Sequence, residues 1–98
     1  MTKYYIYIVS NAATMLYVGL TTDLERILIK HRDQKMASFK GNFSFDTLVY
    51  VEETFDINYA LEREIKLKKT PDYLKKELLR ITNPSMKCMG KYWERQLV

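Results

Sequence analysis

Two runs of aromatic and β-branched residues open the chain and predict a β-hairpin. Residues 4–10 alternate two sets of side chains, both apolar or aromatic, which is typical of a strand covered on both faces. A polar segment at 10–14 supplies a turn, and the second run follows at 15–19. A third strand is predicted over 47–53, after a loop at 35–46 whose phenylalanines we expect to tuck into the domain.

Apolar positions spaced three and four residues apart predict the helices. A capping box at 22–25 starts the first helix, which we expect to end near Gln34. Asp56 is a favourable N-cap for a second helix over 57–69.

A third helix is predicted over 72–81, with Thr70 as its cap and Pro71 at its first position. Its buried face would be formed by Leu74, Leu78 and Ile81. The order β-β-α-β-α-α indicates an α+β fold, a small three-stranded antiparallel sheet flanked by helices.

Residues 1–98 form a single predicted domain, with a core over about 4–84 and a tail over 85–98 whose role its pattern does not indicate. The net charge of +4 suits nucleic acid or an acidic membrane surface without selecting either. The single cysteine, Cys88, excludes an internal disulfide and a cysteine-based zinc site. We expect a cytoplasmic protein, because no signal sequence and no apolar stretch of membrane-spanning length is seen.

One acidic residue of the second helix lies among apolar positions. At about 100° per residue, Glu64 falls within the apolar stripe, while Glu62 and Arg63 face water. That stripe comprises Ile57, Ala60, Leu61, Ile65 and Leu67. A carboxylate there needs a partner. It is either half of a structural ion pair, with Arg26 or a lysine, or a catalytic or metal-binding group, since Mg²⁺ often takes one or two carboxylates.

Two further residue types have alternative interpretations. His31 shares an apolar helix face, where a histidine is more often a hydrogen-bonded core residue than a ligand. Tyr5, Tyr7 and Tyr17 suit strand packing, because aromatic residues favour strands. The residues alone therefore indicate an α+β domain with a buried glutamate, strand tyrosines and one histidine, and they leave its chemistry open.

Taken in order, these segments resemble the GIY-YIG nuclease superfamily, especially its small single-domain bacterial members. The resemblance extends from about residue 4 to residue 87, with Tyr5 in place of the glycine of the first motif, as in many small members. Its motifs are Tyr5-Ile6-Tyr7, Tyr17-Val18-Gly19, 21–26 with His31, Phe39 with Phe43, Leu48-Val49-Tyr50, 60–64 with 67–69, and Asn83-Pro84 with Lys87.

The resemblance implies an endonuclease that hydrolyses DNA phosphodiester bonds with a divalent metal, Mg²⁺ or Mn²⁺. Glu64 would hold the metal, and His31 would assist proton movement. Tyr7 and Tyr17 would orient or deprotonate the attacking water and bind a phosphate oxygen. Gly19 would let strand and helix approach closely. The implied substrate is branched, nicked or otherwise structured DNA, in repair or recombination.

One position departs from the family. Its catalytic arginine would lie eight residues after Gly19 and four before His31, where this chain has Ile27. Arg26 is adjacent, but one residue turns a helix by about 100°, so Arg26 is a doubtful substitute. An arginine on a transferring phosphoryl group can supply roughly 10³–10⁵ in rate, so a weak or inactive nuclease is expected.

Two other functions stay open. A nucleic-acid-binding module that no longer cuts would fit Ile27 and the positive charge, and its affinity would fall steeply with salt. A protein-interaction domain would use Tyr92 and Trp93 of the tail as an anchor. Ile27 itself also suits an ordinary core position. The sequence indicates neither a DNA preference nor an oligomeric state.

Overall fold

The computed structural model describes residues 1–11, 15–33 and 47–84, apart from the side chains of residues 28 and 30–33. In chain order, the elements of this part are β1 (Tyr4–Ser10), β2 (Leu16–Thr21), α1 (Leu24–Asp33), β3 (Thr47–Thr54), α2 (Ile57–Lys69) and α3 (Asp72–Thr82). The predicted α+β class and the order β-β-α-β-α-α are therefore confirmed.

The three strands form an antiparallel sheet in the order β2-β1-β3, as predicted. The pairing of β1 with β2 sets Tyr7 opposite Gly19. The pairing of β1 with β3 is shifted by an irregularity between Ile8 and Val9. The central strand is β1, so β2 is an edge strand, and side chains from both faces of the sheet can meet beside it.

Both faces of β1 are covered, as its alternation predicts. One face packs against α2 and α3 in a buried cluster of Ile6, Ile8, Val18, Val49, Tyr50, Ala60, Leu67 and Leu79. The other face packs Tyr7, Val9 and Leu48 against Leu24 of α1. Each fully buried aliphatic side chain contributes about 1.5–3 kcal/mol, so these two clusters fix α1 and α2 on opposite faces of the sheet.

The N-terminus of α1 is capped one residue later than predicted. The Oδ1 atom of Asp23 accepts a hydrogen bond from the backbone N–H of Arg26 at 3.2 Å. The hydroxyl of Thr21 accepts from the backbone N–H of Asp23 at 3.0 Å. This turn places Asp23 at the cap, so the prediction that Thr22 caps the helix is wrong.

The predicted cap of α2 is confirmed, because Asp56 Oδ1 accepts from the backbone N–H groups of Asn58 and Tyr59 at 2.9 and 3.3 Å. Thr70, however, ends α2 instead of starting α3, and Pro71 occupies the N-cap of α3 without a side-chain hydrogen bond. The short connection leaves Thr70 within reach of the last carbonyls of α2.

The buried face of α2 is rotated from the predicted one. Ala60 and Leu67 are buried, whereas Ile57, Leu61 and Ile65 are 40%, 44% and 50% exposed. A three-stranded sheet covers only a narrow strip of a helix. Glu64 consequently lies at the boundary of the buried face and not in the middle of a buried stripe.

The buried face of α3 also differs from the prediction. Lys75 and Leu79 are buried, Leu78 is half-buried, and Leu74 and Ile81 are exposed. The ammonium of Lys75 lies 3.3 Å from an Asp72 oxygen one turn earlier, which satisfies its charge. Leu79 therefore packs in the core with Leu78 beside it, and the face that α3 buries includes neither Leu74 nor Ile81.

The predictions for the loop at 35–46, with Phe39, Phe43 and Phe45, and for the tail, with Tyr92 and Trp93, fall outside the described residues. In the part that the structure describes, no helix is both long and apolar enough to span a bilayer.

Candidate functional site

The candidate site begins at a pair of residues that face each other on β1 and β2. Tyr7 is 3% exposed and lies opposite Gly19. A Cβ atom on residue 19 would overlap the ring and hydroxyl of Tyr7, so the phenol lies directly over the glycine. We expected Gly19 to let a helix approach the strand closely. In the structure, the Tyr7 side chain fills the space above Gly19, and its hydroxyl lies over the edge strand β2.

A second tyrosine lies beside the first. Tyr17 precedes Gly19 by two residues on β2, on the same face, and is half-buried. The ring centroids of Tyr7 and Tyr17 are 6.5 Å apart, with the planes tilted by 51°, a favourable aromatic geometry. The two phenols predicted as site residues therefore lie together at the β2 edge.

The carboxylate of this site comes from α2. Burial raises the pKa of the Tyr7 hydroxyl, and the nearby Tyr17 and Glu64 raise that pKa further. Because the charge of Glu64 acts on Tyr7, we include this carboxylate in the candidate site with the two tyrosines. The side chain of Glu64 is 20% exposed, which leaves its carboxylate accessible from solvent.

The ion-pair partner of Glu64 is Lys68. Its Nζ lies 3.1 Å from Glu64 Oε2, one turn along α2, and half of the Lys68 side chain is exposed. This is a lysine, as one alternative from the sequence expected, and not Arg26. Because an exposed pair of this kind contributes only about 0.3–0.5 kcal/mol, the pair leaves Glu64 available to another cation.

The atoms that Tyr7, Tyr17 and Glu64 could offer to a metal ion as ligands are all side-chain oxygens. In the described part of the chain, no group of three histidine, cysteine, aspartate or glutamate residues could hold a metal ion. One carboxylate that is partly accessible to solvent fits a hard cation that keeps several waters, such as Mg²⁺ or Mn²⁺, and does not fit a structural zinc site.

Helix α1 covers the tyrosines with an apolar residue. Ile27 is half-buried and packs on the cluster of Tyr7, Val9, Leu24 and Leu48. The position where a phosphate-binding arginine was expected is therefore part of the core.

The remaining predicted site residues lie on the same helix. The side chain of Arg26 is exposed. The backbone of His31 belongs to α1, one turn beyond Ile27, and its side chain falls outside the described residues. The structure thus brings Tyr7 and Tyr17 together, and the charge of Glu64 acts on Tyr7.

A second cluster of tyrosines and a carboxylate was missed from the sequence. Glu52 on β3 accepts hydrogen bonds from the hydroxyls of Tyr50 and Tyr59 and from Arg63 Nε, the last two at 2.7 and 2.6 Å. Arg63 was expected to face water, which is wrong because α2 is rotated. Burial would raise the pKa of Glu52, but the hydrogen bonds from Tyr50, Arg63 and Tyr59 outweigh it and hold that pKa below its usual range.

The sequence of this chain is similar to a known domain family and to two bacterial proteins. The GIY-YIG catalytic domain matches residues 3–76. The UPF0213 protein YhbQ of Escherichia coli is 32% identical over 79 residues, which are 81% of this chain and 79% of that protein. A UPF0213 protein of Yersinia pestis is 33% identical over 76 residues, 78% of this chain and 80% of its own length.

A solved structure has a similar fold. The solution NMR structure of a UPF0213 protein from Bacillus halodurans gives a TM-score of 0.57 at 24% sequence identity, with 91% of this chain and 95% of that one covered. At this identity the likeness shows a shared fold, and the sequence match carries the family relationship.

Proposed function

Because this chain belongs to the GIY-YIG family, a family of nuclease-like domains, we propose that it is a divalent-metal-dependent endonuclease that hydrolyses DNA phosphodiester bonds, with an activity weakened by Ile27. One observation carries the proposal: the rings of Tyr7 on β1 and Tyr17 on β2 lie 6.5 Å apart, and the charge of Glu64 on α2 acts on Tyr7, although the three residues are distant in sequence. The geometry supports a shared chemical role for the three side chains.

Glu64 is the proposed metal ligand. A Mg²⁺ or Mn²⁺ ion bound there would neutralise charge on the scissile phosphate. The Glu64 carboxylate would supply one ligand to that ion, and the remaining ligands would be water and phosphate oxygens. Because Glu64 extends from a helix packed on the sheet, its position is set before DNA arrives.

The two tyrosines have different proposed tasks. The raised pKa of Tyr7 keeps its phenol protonated at neutral pH, so it donates a hydrogen bond to a phosphate oxygen. Tyr17 is more exposed and orients the attacking water. The water's oxygen attacks phosphorus as its proton leaves through His31 or solvent, the bond from phosphorus to the departing deoxyribose oxygen breaks, and that oxygen takes up a proton from solvent.

Ile27 explains why the proposed activity is weak. An apolar side chain packs where the developing phosphate charge needs a cation, and Arg26 next to it is on the exposed side of α1. The same observation favours a second candidate function, binding of nucleic acid without cleavage. The net charge of +4 supports phosphate contacts in either case.

The family resemblance also supports branched or nicked DNA as substrate, a role in repair or recombination, and a cytoplasmic location; we propose these with the activity. The whole chain, 1–98, would act as one domain.

The test is to incubate the parent protein, Glu64→Gln and Ile27→Arg with branched, nicked and linear DNA in Mg²⁺ or Mn²⁺. We expect slow, metal-dependent cleavage by the parent, none by Glu64→Gln and faster cleavage by Ile27→Arg. Binding without cleavage in all three proteins would establish the second candidate. Neither binding nor cleavage would contradict both.

A further inference from the structure

We propose that, in the free protein, the Lys68 ammonium occupies the position beside the Glu64 carboxylate where the metal ion would bind. When the metal binds, this ammonium moves to a DNA phosphate. This inference rests on the proposed function, since it concerns the same carboxylate. It assigns a task to a residue outside the group of tyrosines, glutamate and histidine.

The ion pair has an inner and an outer end. Glu64 and Lys68 are four residues apart on α2, so their side chains are neighbours on one face. The Glu64 side chain is 20% exposed and its charge acts on the buried Tyr7, whereas the Lys68 side chain is 50% exposed. The ammonium therefore approaches the carboxylate from solvent, which is the direction open to a hydrated metal ion.

The two cations cannot hold Glu64 together without mutual repulsion. The Lys68 ammonium lies 3.1 Å from Glu64 Oε2, where a metal ion would also place its charge. A lysine has a flexible four-carbon stem and a compact charge, so it can leave by rotation of exposed bonds. Metal binding therefore displaces Lys68, and the displaced ammonium stays close to the bound ion.

The displaced ammonium then has a suitable new partner. The phosphate that approaches the metal is the nearest anion, and a lysine binds phosphate as a point charge. The other cation partly buried on this helix is Arg63, and Glu52 already holds it through a hydrogen bond of 2.6 Å. Within the described part of α2, Lys68 is thus the cation placed to exchange a carboxylate for a phosphate.

The experiment titrates Mn²⁺ alone into four proteins by calorimetry: the parent, Glu64→Gln, Lys68→Met and Lys69→Met. Lys69 is the matched control, because it is exposed on the same helix and lines a cavity with Pro71 and Leu74, away from Glu64. We expect Lys68→Met to bind Mn²⁺ about twofold more tightly than the parent, since it lacks the competing pair. Lys69→Met should differ from the parent by less than about 1.3-fold.

The same variants are then compared for DNA binding over a range of salt concentrations in the presence of the metal. Lys68→Met should bind more weakly, with a salt dependence reduced by about one phosphate contact. If Lys68→Met matches Lys69→Met in both titrations while Glu64→Gln loses Mn²⁺, the metal site stands and the role of Lys68 is refuted. If Glu64→Gln binds Mn²⁺ as the parent does, the proposed metal site and this inference both fail. An unchanged salt dependence in Lys68→Met refutes the transfer to phosphate.

Discussion

Helix α2 takes part in two clusters of the same composition, a carboxylate with two tyrosines and a cation, and the two differ in how fully the carboxylate is bound. Glu52 accepts from two tyrosine hydroxyls and from Arg63, which reaches it from another element. Glu64 is paired with Lys68 of its own helix, through one exposed ammonium. We call the Glu52 cluster saturated, because its carboxylate accepts three hydrogen bonds, and the Glu64 cluster open, because its carboxylate can exchange the Lys68 ammonium for another cation.

The tyrosines report the same difference. The pKa of Tyr50 is raised to about 12, first by burial and then by its hydrogen bond to Glu52. The pKa of Tyr7 is raised by burial, by Tyr17 and by the charge of Glu64. A cation bound at Glu64 would offset that charge and lower the pKa of Tyr7, whereas Glu52 already accepts three hydrogen bonds. The fixed hydrogen-bond donors around Glu52 favour a structural role for that carboxylate, whereas the exchangeable Lys68 ammonium favours a role for Glu64 in binding a cation.

The largest effect on DNA cleavage is expected from adding an arginine to the Glu64 cluster, which lacks the guanidinium that Arg63 supplies to the Glu52 cluster. Ile27→Arg should raise metal-dependent DNA cleavage by about 10²-fold or more, part of the roughly 10³–10⁵ that such an arginine can supply. The control is Ile29→Arg, which adds the same charge to α1 at a position that is 50% exposed. Equal rates for the two variants would show that charge alone, and not position 27, matters.

Removal of one hydroxyl from each cluster should separate their roles. Tyr17→Phe should lower the cleavage rate about 10- to 100-fold, because the attacking water loses its orientation. Tyr59→Phe removes a hydroxyl from the Glu52 cluster and should leave that rate unchanged. Single-turnover rates at saturating protein measure both, and a similar loss in the two variants would argue against a specific task for Tyr17.

The contact between Tyr7 and Gly19 predicts a loss of stability. Gly19→Ala places a methyl group in the volume of the Tyr7 ring, and such overpacking costs about 1–3 kcal/mol. In a Tyr7→Leu background the same change should cost less, because the clashing ring atoms are absent. Urea denaturation of the four proteins gives the coupling, and a strictly additive result would rule out this contact as the reason for the glycine.

The smallest effect concerns pH. The pKa of Glu52 is lowered in the folded protein, so its contribution to stability is present above the unfolded value of about 4.3 and is lost as the pH falls through the folded value. The urea midpoint of the parent should therefore approach that of Glu52→Gln as the pH falls below about 4.3. A constant gap between the two midpoints would contradict a charged, hydrogen-bonded Glu52.

Local signals predicted the elements of this fold well. The alternation of residues 4–10 indicated a strand covered on both sides, and Asp56 indicated the start of α2; both are confirmed. These features depend on neighbours in sequence, which is why a pattern can show them. The family resemblance, and not the pattern, suggested that Tyr7 and Tyr17 belong together.

The rotation of α2 could not be predicted from its own residues. Its apolar positions suggested burial of Leu61 and Ile65, but the narrow sheet buries Ala60 and Leu67. The pair of Arg63 with Glu52 joins a helix to a strand, and this contact decides the helix orientation together with the core. Such a choice depends on tertiary packing, so the environment of Glu64 had to come from the structure.

The central claim is that the open carboxylate acts in DNA cleavage while the saturated one supports the fold. A paired measurement tests it most directly: the cleavage rate and the urea midpoint of Glu64→Gln and Glu52→Gln, two isosteric changes made on neighbouring elements. We predict that Glu64→Gln abolishes metal-dependent cleavage with little change in midpoint, and that Glu52→Gln lowers the midpoint while the folded protein still cuts. The reverse pattern, or metal-dependent cleavage that survives in Glu64→Gln, would contradict the account.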